Sequence, residues 1–122
     1  MRLTIPYPTK SNNELRRMSP FGYRDLRNEL TRIVQSERRA EGLLTALGGE
    51  RRRVVITRYG PQLLDYDNLV GGAKPLIDAL CNSGAIWDDD PKHLDVTVKQ
   101  EKSSRREART EVEIFQKTES EG

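Results

Sequence analysis

The stretch DYDNLVGGAKPLIDALCNSGAIWDDD, residues 65–90, contains most of the aspartates of this chain. Seven of the eight aspartates lie between positions 65 and 95, where the only basic residues are Lys74 and Lys92 and there is no glutamate. Seven acids against two lysines leave this window at −5, while the whole chain is +2. Crowded carboxylates repel one another unless a cation or proton relieves them. Oxygen ligands alone suit Mg²⁺ or Mn²⁺ better than zinc, so the stretch predicts such a site.

The composition favours one small domain that binds nucleic acid. A chain of 122 residues fits a single domain spanning 1–122, with about 117–122 as a frayed tail. Hydrophobic residues make up 34% and charged residues 33%, which predicts a thin core or apolar surface shared with a partner subunit. Fifteen arginines against six lysines favour phosphate partners, because the planar guanidinium binds phosphate through two hydrogen bonds.

Several classes of protein are disfavoured. No apolar run approaches the roughly 18 residues of a membrane span, and the N-terminal residues lack the apolar segment of a signal peptide. The single cysteine, Cys81, excludes an internal disulfide and a cysteine zinc cluster. We therefore expect a soluble, cytoplasmic protein without a membrane partner.

The hydrophobic periodicity predicts an α+β fold with a small mixed sheet of about four strands and two main helices, in the order β-α-β-α-β-β. Residues 2–7 alternate as a short edge or terminal strand, and residues 8–18 are expected to be a loop. Ser19 and Pro20 begin a long helix whose apolar stripe continues through Leu44 and Leu47 to glycines 48–49. Its arginines, Arg27 among them, alternate with acids, which is typical of a solvated face.

The second half of the chain contains the remaining elements. A β-branched run, VVIT at 54–57, predicts a buried strand, and residues 68–84 have helical spacing that stops at a glycine. Because Pro75 disturbs a continuous helix, the regular part is expected to begin near Lys74, after an irregular glycine turn. The alternating runs 94–100 and 108–115 predict an antiparallel hairpin.

The candidate site residues follow from spacing. In an extended segment, Asp65 and Asp67 would point to the same side, with Cα atoms roughly 6.5–7 Å apart, and could share one cation. Asp67 could instead cap the following helix. Lys74 could hold a phosphate beside the carboxylates, or form an ordinary i, i+4 ion pair with Asp78. The lone His93 is expected to be a packing or surface residue, because it lacks a second histidine or cysteine partner.

Two basic groups are candidates for nucleic-acid contact. The first is the run Arg51, Arg52 and Arg53 at a strand entry. The second is the connection after residue 100, with Lys102, Arg105 and Arg106. A solvated strand end and an exposed loop are the alternative interpretations of these groups.

DYDN at 65–68, KPLIDAL at 74–80, and then Gly84, apolar residues and the aspartate run resemble the signature of the RusA-type Holliday junction resolvases. These are metal-dependent endonucleases common in bacteria and prophages. Residues 5–13, IPYPTKSNN, weakly resemble the segment after the family's first strand. Lys74 follows Asp67 by seven residues, against four in the shorter family pattern. The extra Gly-Gly-Ala, residues 71–73, would add nearly one helical turn, about 4.5 Å of rise.

The resemblance implies roles for four residues. Asp65, Asp67 and Asp89 correspond to the metal-binding aspartates, with Asp88 as second choice for the third, and Lys74 corresponds to the active-site lysine. It further implies a homodimer that resolves four-way DNA junctions in recombination and repair with Mg²⁺, or with Mn²⁺ as its substitute. A non-catalytic nucleic-acid-binding accessory protein and a flap-selective or fork-selective nuclease are the alternatives.

Overall fold

The computed structural model describes residues 1–43 and 45–116. The order of elements confirms the predicted α+β class, with one additional short helix and the second helical region divided in two. The elements are β1 Arg2–Ile5, α1 Asn12–Arg16, α2 Pro20–Glu41, β2 Arg52–Gly60, α3 Tyr66–Gly72, α4 Lys74–Asn82, β3 Leu94–Lys102 and β4 Arg109–Gln116. Leu44 and the predicted frayed tail at 117–122 lie outside the described residues.

The four strands form one mixed sheet in the order β1, β4, β2, β3. β4 runs antiparallel to β1 and to β2, whereas β2 and β3 are parallel. The predicted hairpin of β3 and β4 is therefore wrong, because β2 lies between them. Their connection crosses the end of β2, where the Ser103 N–H donates to the Gly60 carbonyl at 2.8 Å. The prediction of β1 as an edge strand is confirmed.

The core lies between one face of the sheet and the helices α2 and α4. Alternate residues of β2 and β4 are buried, and Val54 pairs with Ile114 as Ile56 pairs with Val112. Helix side chains complete the same buried cluster, among them Leu30, Val34, Leu76 and Leu80. This packing joins α2 to α4, and the loop after α4 enters the sheet at β3.

Helix α2 begins as predicted but ends earlier. The Ser19 hydroxyl accepts a hydrogen bond from the Gly22 N–H, and Pro20 follows it. The helix ends at Glu41 because Gly42 adopts a left-handed conformation with φ 72°, a common helix stop. The predicted continuation of the apolar stripe to Leu47 is wrong, since Leu47 is 71% exposed. No helix of the described residues is long and apolar enough to cross a lipid bilayer.

The segment expected to be a loop at 8–18 contains helix α1. Its start has a capping box, in which the Ser11 hydroxyl accepts from the Glu14 N–H and the Glu14 carboxylate accepts from the Ser11 N–H. Glycines of α3 let this segment approach closely. A Cβ on Gly72 would lie 1.8 Å from the Lys10 carbonyl oxygen, and one on Gly71 would lie 2.6 Å from the Asn12 side chain. The Gly-Gly pair therefore has a packing role.

Candidate functional site

Lys74 is the first residue of α4, as the position of Pro75 predicts. A single residue, Ala73, separates this helix from α3. Proline is tolerated in the first turn because that turn needs no internal N–H donor. The expectation of an irregular turn before Lys74 is wrong, since residues 66–72 form the helix α3.

The Lys74 ammonium group joins two carboxylates that are distant in sequence. Its Nζ lies 2.9 Å from an Asp78 oxygen, one helical turn away, and 3.0 Å from an Asp89 oxygen in the loop before β3. The hydrogen bonds that Lys74 donates to Asp78, and next to Asp89, raise the pKa of Lys74, and the bond from Lys74 lowers the pKa of Asp89. The sequence left two alternatives for Lys74, an ion pair with Asp78 or a position beside the other carboxylates. Lys74 makes both contacts at once.

A cavity of about 430 Å³ lies beside this contact, between α2, α4 and the aspartate run. Its walls carry the carboxylates of Asp78, Asp88 and Asp89 together with Cys81 and Asn82 from α4. Burial, followed by the charges of those three aspartates, raises the pKa of the Cys81 thiol to about 11. The cavity is therefore strongly acidic on the α4 side.

Arg27 of α2 forms the opposite wall of this acidic cavity. Its Nε is buried and has no hydrogen-bond partner among the described residues. Sequence reasoning missed Arg27, because alternating charges on α2 indicate a solvated face. The only available signal was its position one residue after the stripe residue Leu26, which places it at the border of the buried stripe.

Asp65 and Asp67 lie at the start of α3 and do not line the acidic cavity. Asp65 is the N-cap, and its carboxylate accepts bonds from the backbone and side-chain N–H groups of Asn68 at 2.9 Å. These bonds lower the pKa of Asp65, the backbone one most. Asp67 is in the first helical turn, so the segment is not extended. The alternative in which Asp67 caps the helix is wrong, because Asp65 is the N-cap. Their metal-binding role stays a prediction.

Another set of ligand atoms comes together in the aspartate run. One ligand atom each from Asp88, Asp90 and His93 lies within 4.8 Å of the others, the single such group among the described residues. His93 Nδ1 is 2.7 Å from Asp90 Oδ1, which also accepts from the backbone N–H groups of Lys92 and His93. His93 thus packs against the aspartate run, residues 88–90. Of these three aspartates, Asp89 is the one that contacts Lys74.

The donor chemistry of the acidic cavity fits a hard cation. Asp88 and Asp89 offer carboxylate oxygens that are accessible, and Asn82 adds an amide group on the same wall. Mg²⁺ and Mn²⁺ prefer such oxygen ligands and keep part of their water shell. Of the residues predicted to bind metal, Asp89 and its second choice Asp88 therefore share a suitable cavity.

The predicted nucleic-acid contacts differ in exposure. Arg52 is fully buried, donates from Nη1 to the Ala85 carbonyl at 2.8 Å and pairs with Glu50. It therefore has a structural role in the described fold and does not present its guanidinium at the surface. Arg51 donates to the Pro91 carbonyl, and Arg53 stacks over the Phe115 ring at 4.1 Å. The other candidates are exposed: Lys102, Arg105 and Arg106.

Comparison with known proteins identified no related protein. Neither the protein-family models nor the curated proteins contain a match to the chain. The resemblance to the RusA-type resolvases therefore depends on the motif of residues 65–95 and on the order of the elements.

Proposed function

We propose that this protein is a metal-dependent, structure-selective endodeoxyribonuclease that resolves Holliday junctions by paired phosphodiester hydrolysis. The observation that carries the proposal is the contact of Lys74 with Asp89, 3.0 Å between Nζ and a carboxylate oxygen. The resemblance assigns both residues to the active site although fifteen positions separate them. A lysine between two carboxylates that line an open cavity suits a site that must hold both a cation and a phosphate.

The carboxylates and the basic side chains have separate roles in this proposal. Asp89 and Asp88, with Asp65 and Asp67 as the further candidate ligands, would hold Mg²⁺ or Mn²⁺. Such an ion, when bound, lowers the pKa of water and offsets charge on a phosphate oxygen. Lys74, which contacts the cavity residues Asp78 and Asp89, and Arg27, which lines the cavity, stabilise the negative charge that develops on the phosphate during hydrolysis. No nucleophilic side chain is required.

The substrate and the assembly follow from the charge distribution and from symmetry. Exposed basic side chains at Lys102, Arg105 and Arg106 bind phosphates without reading sequence. A four-way junction needs two symmetric cuts, and a two-fold homodimer presents two identical sites. We place this dimer in the cytoplasm, where it acts in DNA recombination and repair.

A substrate panel tests the proposal. The wild-type protein is incubated with Mg²⁺ or Mn²⁺ and end-labelled four-way junction, fork, flap or plain duplex. We expect paired nicks at symmetric positions of the junction and little cutting of the duplex. Equal cutting of all four substrates would refute the junction selectivity, and preference for a flap or fork would favour that alternative nuclease.

One observation favours a non-catalytic accessory protein that binds nucleic acid. Asp65 is engaged in capping α3, and neither Asp65 nor Asp67 lines the acidic cavity. Asp67→Asn separates the two functions: loss of cutting with retained junction binding supports the nuclease. Binding without cutting by both forms, with either metal, supports the accessory protein.

A further inference from the structure

Strand β3 forms a long open edge of the sheet. β2 lies on one side of it, and no strand among residues 1–43 and 45–116 lies on the other. β3 has nine residues, whereas β1 at the opposite edge has four. Most of its side chains from Val96 to Lys102 are exposed. A long exposed edge is a template on which another strand can pair.

The ladder with β2 determines which backbone groups of β3 face the open side. Just after β3, the Ser103 N–H donates to the Gly60 carbonyl of β2 at 2.8 Å. The direction of the backbone groups alternates along a strand, so the odd-numbered residues of β3 bond to β2. The N–H and C=O groups of the even-numbered residues, Val96, Val98 and Gln100, therefore point away from β2.

A second copy of β3 fits this edge. A two-fold axis perpendicular to the sheet at Thr97 makes the two strands antiparallel and keeps the helices of both copies on one face. Val96 of each copy then lies opposite Val98 of the other, in pairs that use the outward N–H and C=O groups. With Gln100 also donating to the Leu94 carbonyl, about six N–H···O bonds join the copies. The Leu94 N–H is not counted, because it has a partner within its own chain.

The charges along β3 favour this register over its neighbours. On the face opposite the helices, Asp95 of each copy lies opposite Lys99 of the other, so two pairs of opposite charges flank the axis. An axis at Val98 would instead place Asp95 opposite Glu101. An axis at Lys99 would place that lysine opposite itself, and like charges in this position are destabilising. An axis one residue before Thr97 would shorten the paired segment of β3.

The same register covers apolar side chains on the helix face. Val96 is 38% exposed, and Val98 is a partly buried residue packed against the core. The two Val96–Val98 pairs would form one row across the axis, which continues the core of each copy into the interface. Cross-strand pairs of β-branched side chains pack well on a pleated surface.

We propose that two copies of this chain dimerise through β3 and form one continuous sheet with four strands from each copy. The proposal specifies an interface for the homodimer of the proposed function, but it is argued from β3 alone and does not depend on nuclease activity. The aspartate run of each copy comes shortly before β3, so the two runs lie towards opposite ends of the paired edge. The two Leu94 residues would be about 20 Å apart along the strands.

The oligomeric state of charge-reversal variants tests this interface without metal and without DNA. Sedimentation equilibrium of the wild type should show a mass that rises from 14.0 kDa towards twice that value with concentration. Asp95→Lys and Lys99→Asp each place like charges opposite one another twice, and each should raise the Kd of the dimer about tenfold. An equimolar mixture of these two variants restores opposite charges in every pair and should dimerise like the wild type. Arg32→Asp, at an exposed residue of α2, is the control and should leave the Kd unchanged.

A backbone variant tests the hydrogen bonds separately from the charges. Val98→Pro removes an outward N–H but no donor to β2, so it should weaken the dimer while circular dichroism shows a folded chain. A wild type that is still monomeric at about 0.5 mM, where a complex with a Kd of about 0.1 mM is mostly dimeric, would overturn the inference. So would a dimer that neither charge reversal weakens, or a mixture that dimerises no better than its components. None of these results depends on cleavage, which the substrate panel tests separately.

Discussion

At the scale of single residues, Lys74 and Asp89 form the most informative contact. Both groups are solvent accessible, with 52% and 43% of their side chains exposed, so the contact itself contributes little stability. Its value lies in placing an ammonium group beside carboxylates at the edge of the acidic cavity. Two accessible charges of this kind are available to bind a phosphate or a cation.

The contact has a pH dependence that can be measured. Lys74 holds the pKa of Asp89 below its ordinary value of 3.8, so the pair's contribution is complete above that value and is lost as the pH falls through the lower, folded-state pKa. Lys74→Met should raise the pKa of Asp89. Carboxyl NMR titration of both proteins measures this directly. An unchanged titration would show that the two groups do not interact in solution.

Substitutions of the neighbouring residues Arg52, which is buried, and Arg53, which is exposed, should lower stability by very different amounts. Arg52→Ala removes a fully buried side chain and leaves the Ala85 carbonyl without its donor, which should cost about 3–5 kcal/mol. Arg53→Ala loses only its stacking on Phe115, about 0.5–1 kcal/mol. Urea denaturation measures both changes. Similar small losses would contradict the structural role of Arg52.

At the scale of elements, α3 depends on glycine where it meets the segment before α1. Gly72→Ala should destabilise the protein by about 3 kcal/mol, because the new Cβ would overlap the Lys10 carbonyl and backbone cannot move aside cheaply. Gly22→Ala is the control, since its nearest contact is 3.3 Å and alanine suits a helix. The control should change stability by less than about 1 kcal/mol. Thermal unfolding that ranks the two variants equally would refute the close contact.

The elements also show how far local patterns reach. The strands and the start of α2 follow from periodicity and capping residues. The pairing of β3 and β4 in the sheet could not be predicted this way. The pattern of alternating side chains is the same whether two strands pair with each other or lie on either side of a third strand. The Ser11–Glu14 capping box of α1 was visible in the sequence, but the surrounding polar residues favoured a loop. The role of the Gly-Gly pair depends on contacts with Lys10 and Asn12, which are far earlier in the sequence.

The candidate site was predictable to a similar extent. The resemblance assigned Lys74 and Asp89 to one site, and the two side chains lie 3.0 Å apart. Their roles in a metal site stay a prediction. Arg27 could not be predicted, because its position depends on how α2 packs against α4. The capping role of Asp65 depends on the helix beginning at Tyr66, two residues earlier than a cap at Asp67 would allow.

At the scale of the whole molecule, the exposed basic residues after β3 should control nucleic-acid affinity. Replacing Lys102, Arg105 and Arg106 together with glutamine should weaken junction binding and reduce the salt slope by up to about 2.7, for three phosphate contacts. The measurement is binding at several salt concentrations without metal. An unchanged slope would mean that another surface contacts the backbone.

The central claim is that the acidic cavity with Lys74 is a metal-dependent nuclease site. Its most direct test is cleavage of a labelled four-way junction in Mg²⁺ by the wild type, Lys74→Met and Asp89→Asn, with Asp25→Asn on the exposed side of α2 as the control. We predict paired symmetric nicks by the wild type and the control, and rates reduced about 10²-fold or more in the two site variants. Junction binding without nicks by the wild type, or equal nicking by all four proteins, would contradict the claim.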